Sequence, residues 1–448
     1  MTATTHPPGP HRLLRSACTL LMRHVPMRFL TRIAIRYGGI ARIPLTRGYL
    51  YLVSEPDLIK SLLVDHRAGF VKNTRYSDMQ RVLGQGLLLS EGNVWRRQRV
   101  STQPSFRPGA LDRDVSWMTR LIADHLDEWE TRLDADGTLA LAPEFERLSQ
   151  ALAGHLLFGS LYARHAGAVL AITEDLQRSW PTLPPFLRPH SAKVIAEKRV
   201  LLSATLAALD AQIIAMIHEH AGSTEECILT TLRAAAAEGG AAFTDVELRD
   251  QMKTLFFAGF ETTSTSMVWT QYLLARHPAV RARLVEEADR VAAGRTLSVE
   301  AIDAMSYVEQ VFKESLRLYS PIHSLSRVAT EACEIGGYTV PQGTTVMVSL
   351  YASHRLPKYW PQPERFDPER FSAQEIAARH RFAYLPFAAG HRNCIGALLA
   401  VVQGKLIISQ VARRFELELL TRNSVRPRAG TTMHPSREIR VRIKSRAA

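Results

Sequence analysis

The sequence predicts a mainly α-helical fold with a smaller β-rich region. Two observations carry that expectation. Thr244-Asp245-Val246-Glu247 is a capping box in which the Thr244 hydroxyl and the Glu247 carboxylate satisfy first-turn amides, and it opens a long helical run that Pro278 stops at His277. After Pro321 the pattern changes to short β-prone runs separated by Pro and Gly turns.

Taken in order, His6-Pro7-Pro8-Gly9-Pro10 cannot be helical and reads as an extended lead-in. Tyr49–Val53 is a β-rich run, and Glu55–Val64 follows with helical spacing after a turn at Ser54-Glu55-Pro56. From Gly69 to Gly92 the pattern breaks into a long irregular stretch punctuated by Gly84, Gly86 and Gly92, and such stretches often carry function. Asn93–Thr102 resumes as a short basic helix. Residues 112–178 read as helices with acidic faces, broken by Pro181–Phe186 and Arg188-Pro189, with helix again from Ala192 to His220. Gly337–Thr344 looks like a hairpin with a Pro/Gly turn, and Ile439–Ile443 like a C-terminal strand with Arg440 and Arg442 on the opposite face.

The chain has 448 residues, 46% hydrophobic and 22% charged, an ordinary globular balance for a large core. Its chemical motifs are scattered from Trp95 to Cys394 and make sense only as one site. The expected organisation is therefore a basic leader, residues 1–34, and a single domain, residues 35–448. Four cysteines far apart exclude a disulfide framework and the usual zinc patterns, which suits a reducing, cytoplasmic setting. Cys18, Cys227 and Cys333 read as small buried hydrophobes.

The net charge of +13 is concentrated in residues 1–54, which hold eight arginines and no acid. No groove-reading motif accompanies it, so nucleic acid is not an expected partner. Arg15, Arg23, Pro26 and Arg28 interrupt every run that could approach the roughly 20 apolar residues of a membrane span. Three readings of the leader stay open: solvated surface, peripheral contact with an anionic membrane, or a transit signal.

The sharpest signal is Phe387-Ala388-Ala389-Gly390-His391-Arg392-Asn393-Cys394-Ile395-Gly396, just before the apolar helix Ala397–Val411. A helix N-terminus stabilises a thiolate over a thiol. Gly390 and Gly396 permit tight turns and close backbone approach to a flat group. The string satisfies all five specified positions of Phe-x-x-Gly-x-Arg-x-Cys-x-Gly and resembles the haem-binding loop of the cytochrome P-450 family. The resemblance covers roughly residues 35–445. It implies haem b (iron protoporphyrin IX) with Cys394 as the axial sulfur ligand, Arg392 aimed at a haem propionate and Phe387 shielding the sulfur.

Ala258-Gly259-Phe260-Glu261-Thr262-Thr263, midway along the long helix, resembles the same family's oxygen-activation segment. Gly259 costs about 1 kcal/mol against Ala there, and Thr262 can back-bond to a carbonyl. Glu261 and Thr262 are the acid and hydroxyl that proton delivery requires; many relatives carry Asp where this chain has Glu261. Glu314 and Arg317 share a helix face. With Arg370 of Trp360–Phe371, a better match than Arg365, they resemble the family's structural Glu-Arg-Arg cluster. Trp95, Arg99 and Arg327 resemble its haem-propionate contacts.

The function implied is a haem-thiolate monooxygenase inserting one atom of O2 as a hydroxyl or epoxide. The acid–threonine pair argues against a peroxygenase, isomerase or dehydratase, and a haem sensor is a distant alternative. No flavin or ferredoxin motif occurs, so the expected electron donors are a ferredoxin and an NAD(P)H-dependent ferredoxin reductase. Arg96, Arg97 and Lys405 are the expected basic landing patch for them. By the same resemblance the substrate pocket draws on Gly69–Leu89, Pro181–Pro189, Ile322–Leu325 and Thr431–Met433. These are mostly apolar, which points to a lipophilic terpenoid, fatty acyl chain or polyketide from natural-product biosynthesis.

Overall fold

The computed structural model describes residues 6–72, 77–179, 192–237, 242–292, 297–421 and 424–446. It is mainly helical with small sheets and divides into two compact units.

The first unit comprises Met1–Thr74, Glu309–Ala397 and Arg426–Ser436. Its sheet orders Ile40–Leu45, Gly48–Val53, Thr345–Ser349, Ser324–Ala329 and Phe70–Lys72. The pairing of Gly48–Val53 with Thr345–Ser349 is parallel and the others are antiparallel. Successive strand residues alternate between faces. Ile40, Tyr51 and Val53 join Ile59, Leu62, Val346 and Val348 in one cluster. Ala41, Ile43, Leu50 and Leu52 join Cys18, Met22, Phe29, Leu30 and Ile33 in another. The Arg-rich leader is thus folded as helices Arg15–His24 and Pro26–Tyr37 against one sheet face. Removing them would uncover that face.

The hairpin expected across Gly337–Thr344 forms earlier in the chain. Cys333–Ile335 pairs with Tyr338–Val340 around Gly336 and Gly337, both at positive φ (61° and 79°). Two such residues match the twist of a tight hairpin. Pro341-Gln342-Gly343 instead turns the chain into Thr345–Ser349.

The second unit comprises Arg75–Val308, Leu398–Val425 and Arg437–Ala448. Its axis is the 32-residue helix Asp245–Arg276, opened by the expected capping box at Thr244 and Glu247. Helix Leu141–Phe158 packs along it. The stretch Leu141–Leu176 is long and apolar enough to cross a membrane. It is nevertheless bent at Gly159 and carries a buried Gln150–Thr173 hydrogen bond. The C-terminal strand Arg440–Ser445 lies between Thr138–Ala140 and Phe415–Leu419, with Val441 buried and Arg442 exposed.

The stretch read as irregular from Gly69 to Gly92 contains strand Phe70–Lys72 and helix Ser77–Leu83. Met79, Val82 and Leu83, spaced i, i+3, i+4, pack with Leu89, Leu206 and Phe257. The flanking glycines hid that short periodicity. The Pro181–Pro189 break lies outside the described residues.

Candidate functional site

In the first unit, Phe387–Gly396 forms a tight loop before helix Ala397–Arg414. The Cys394 amide donates to the Phe387 carbonyl at 2.9 Å, and the Asn393 amide to Gly390 at 3.1 Å. Gly390 has φ +73°, and a Cβ there would lie 2.3 Å from the Leu63 carbonyl oxygen, so only glycine fits. Cys394 is exposed, whereas Cys18 and Cys227 are buried and Cys333 is half-buried. Phe387, Arg392 and Gly396 are half-buried around it in sequence. Arg327, also half-buried, stands on strand Ser324–Ala329, its guanidinium donating to the Ser326 carbonyl at 2.9 Å.

Behind this loop Glu314 and Arg317 are wholly buried and paired two-pronged, at 2.6 and 2.8 Å. Arg317 also donates to the carbonyls of His354, Pro363 and Arg365, and Glu314 accepts the Asp367 amide at 2.9 Å. Burial pushes the Glu314 carboxyl upward, against the opposing pull of Arg317, the Asp367 amide and Arg370. Arg370 reaches Glu314 at 3.5 Å, while the Arg365 side chain is largely exposed. His354 connects this cluster to the loop: its carbonyl accepts from Arg317 and its Nε2 accepts the Leu385 amide at 2.9 Å. Sequence reasoning missed it, because a lone histidine between Ser353 and Arg355 carries no pattern. Burial, then Arg317 and Arg355, lower its pKa to about 3.

Two of the expected substrate segments meet in this unit. The Met433 amide donates to the Pro321 carbonyl at 2.8 Å, and His323 Nε2 lies 3.4 Å from the Gly430 carbonyl.

In the second unit the long helix is buried from Gln251 to Leu274 except at Phe257, Ala258, Gly259, Glu261 and Thr262, of which Ala258 is exposed and the others half-buried around the buried Phe260. Thr262 back-bonds to the Ala258 carbonyl at 2.6 Å. A Cβ on Gly259 would meet only Ala153, at an ordinary 3.4 Å. Packing within the chain therefore does not demand glycine there.

The start of this helix holds the loop of residues 84–90. Asp250 accepts the Gln85 amide and Gln251 the Leu87 amide, each at 2.8 Å. Gly84 and Gly86 allow the approach, since a Cβ on either would lie about 2 Å from Asp250 or Thr254 atoms. Gln98, bonded to Ser90 and the Gln85 carbonyl, ties in helix Gly92–Thr102, on which Trp95 and Arg99 stand half-buried one turn apart. Asp250, Gln251 and Gln98 were not singled out by sequence, because their partners are remote loop amides.

The expected landing patch is corrected. Lys405 is 3% exposed, inside the buried run Gln403–Ala412. Arg97 is half-buried, ion-paired with Glu247 and stacked over Phe243. Arg96 alone of the three is exposed. Helical periodicity could not reveal which faces of these helices turn inward.

The donor set fits a haem. Among the described residues no group of three or more His, Cys, Asp or Glu could hold a metal by itself. An exposed cysteine in a glycine-cradled loop could supply a thiolate to a haem iron, whose other donors the macrocycle itself would bring.

Comparison with known proteins agrees. Residues 6–443 match the family described as Cytochrome P-450. The chain is 29% identical to cyclooctatin synthase of Streptomyces melanosporofaciens, over 94% of this chain and 92% of that one. It is 30% identical to cyclooctat-9-en-7-ol 5-monooxygenase of the same organism (95% and 90%) and to a putative cytochrome P-450 135B1 of Mycobacterium tuberculosis (98% and 91%). The crystal structure of the cytochrome P-450DA heme domain superposes with a TM-score of 0.88 at 23% identity, covering 99% of this chain and 98% of that one. The chain belongs to the cytochrome P-450 family and is a haem-iron monooxygenase, an oxidoreductase that incorporates oxygen from O2.

Proposed function

We propose that this monooxygenase hydroxylates or epoxidises a cyclic terpenoid in natural-product biosynthesis. It works in the cytoplasm with haem b and takes electrons from a ferredoxin and its NAD(P)H-dependent reductase. The observation that carries the site is the exposed Cys394 in the Gly390 turn. The similarity to two proteins named for cyclooctatin chemistry supports the substrate class. Residues 35–448 are read as one haem-binding domain behind the leader 1–34.

When bound, the haem supplies the activation of O2. The chain supplies the rest. Cys394 would be the thiolate ligand, and Phe387 would keep water from the sulfur. By the family resemblance, Arg392, Arg327, Arg99 and Trp95 would hold the propionates. Ala258 and Gly259 leave the middle of the long helix without bulk. Glu261 gathers protons and the Thr262 hydroxyl holds them at Oγ1 for delivery. Ile322–Leu325 and Thr431–Met433 orient the apolar substrate. The acid–threonine pair favours oxygen insertion over peroxide-driven or isomerase chemistry.

The test is a panel of cyclic terpenes with isotopically labelled O2, the holoprotein, a ferredoxin and its reductase. The expected product carries one labelled oxygen, and Cys394→His abolishes both product and the red-shifted Soret band of the ferrous-CO form. Survival of that band would remove the ligand assignment. Turnover of fatty acyl or polyketide substrates but no terpene would remove the substrate class.

A further inference from the structure

The leader helices bury one set of apolar side chains and expose another. Cys18 and Met22 of helix Arg15–His24 face the sheet. Ala17, Leu20, Leu21 and His24, at helical spacing, are all exposed, as are Leu13 and Leu14 in the turn before it. Leu13 is 77% exposed, Leu20 57%, and Ile35 on the next helix 55%. A helix that needed only solubility would place polar residues on that face.

Exposed arginines stand on the same leader segments as these leucines. Arg12, Arg15, Arg28, Arg32, Arg36 and Arg47 are exposed, residues 1–54 contain no acid, and none of these six lies in an ion pair among the described residues. The Thr46 amide donates to the Thr19 hydroxyl at 3.0 Å, which sets the turn carrying Arg47 beside the first helix. In the next strand Tyr49, 41% exposed, lies under the Arg42 guanidinium at 3.8 Å.

We infer that this surface docks on an anionic phospholipid bilayer, with leucines in the headgroup–acyl boundary and arginines on the lipid phosphates. Exposed leucines flanked by uncompensated arginines match both layers of such an interface. Arginine stems can lie along the apolar zone while their heads reach phosphate, and a tyrosine suits the boundary. An acidic protein would satisfy the arginines but leave the leucine face unexplained. The inference is independent of the substrate proposed above.

The experiment is cosedimentation of the full-length holoprotein with vesicles of pure phosphatidylcholine, or of equal parts phosphatidylcholine and phosphatidylglycerol. Binding to the anionic vesicles at low salt should exceed binding to the neutral ones by about tenfold or more and weaken with salt. Leu20→Glu with Leu21→Glu should lower it by about tenfold while the haem spectrum is retained, and Arg12→Gln with Arg15→Gln should lower it too. Equal binding to both vesicles overturns the inference. So does a double glutamate variant that binds like the parent, and so does capture by soluble polyglutamate without vesicle binding, which would assign the surface to an acidic protein.

Discussion

The Nε2 of His354 accepts the amide of Leu385 at 2.9 Å, joining the Glu314–Arg317 pair to the strand of chain that leads into the Cys394 loop. The ring must be neutral to do so. Arg317, Arg355 and Arg379 crowd it, and the Tyr384 ring lies tilted beside it at 5.5 Å.

That neutrality predicts an acid sensitivity. His354 has a folded pKa of about 3 against an ordinary 6.5, so below 6.5 the unfolded chain binds a proton that the folded chain refuses. Stability is fully present above 6.5 and falls as pH drops toward 3, by about 1.4 kcal/mol per unit from this group. His354→Gln, which keeps an acceptor but does not titrate, should show a shallower acid dependence of its urea midpoint. Identical slopes would show that His354 is not the source. His125, lowered to about 4 by burial and Arg132, is present in both proteins and cancels.

Glu314→Ala leaves Arg317 with three carbonyl partners but no counter-charge in a fully buried position. Removing one member of such a pair costs about 3–5 kcal/mol. Little soluble holoprotein is expected. Normal yield and haem content would show that the carbonyls suffice.

Gly390→Ala is expected to loosen the thiolate loop, because the new methyl combines an unfavourable φ with a 2.3 Å approach to Leu63. Gly48→Ala is the control: its φ is +88° but nothing lies within 4 Å. The control should lose only about 1 kcal/mol. Gly390→Ala should lose more, together with part of the thiolate-type Soret signal. Equal effects would reduce Gly390 to a matter of backbone angle.

Thr262→Ala removes the hydroxyl now bonded to the Ala258 carbonyl and should leave haem content unchanged. Product formed per NAD(P)H should fall by roughly tenfold or more, with reducing equivalents appearing as hydrogen peroxide. Unchanged coupling on the natural substrate would take proton delivery away from this residue.

The signals legible in the sequence are local. The Thr244–Glu247 box and Pro278 delimit the long helix because capping and ring sterics act within a few residues. The Phe387–Gly396 string is readable for the same reason: its glycines, cysteine and arginine do their work within ten positions. The tertiary structure alone decided which faces turn inward and which remote partners meet. Lys405 and the solvent-facing Leu20 sit on helices whose periodicity does not say which apolar stripe finds the core. Ser77–Leu83 became a helix because Leu206 and Phe257 complete its cluster. His354, Asp250 and Gln251 acquired their roles from amides far along the chain. A buried hydrogen bond depends on where both partners arrive, and no window of sequence contains both.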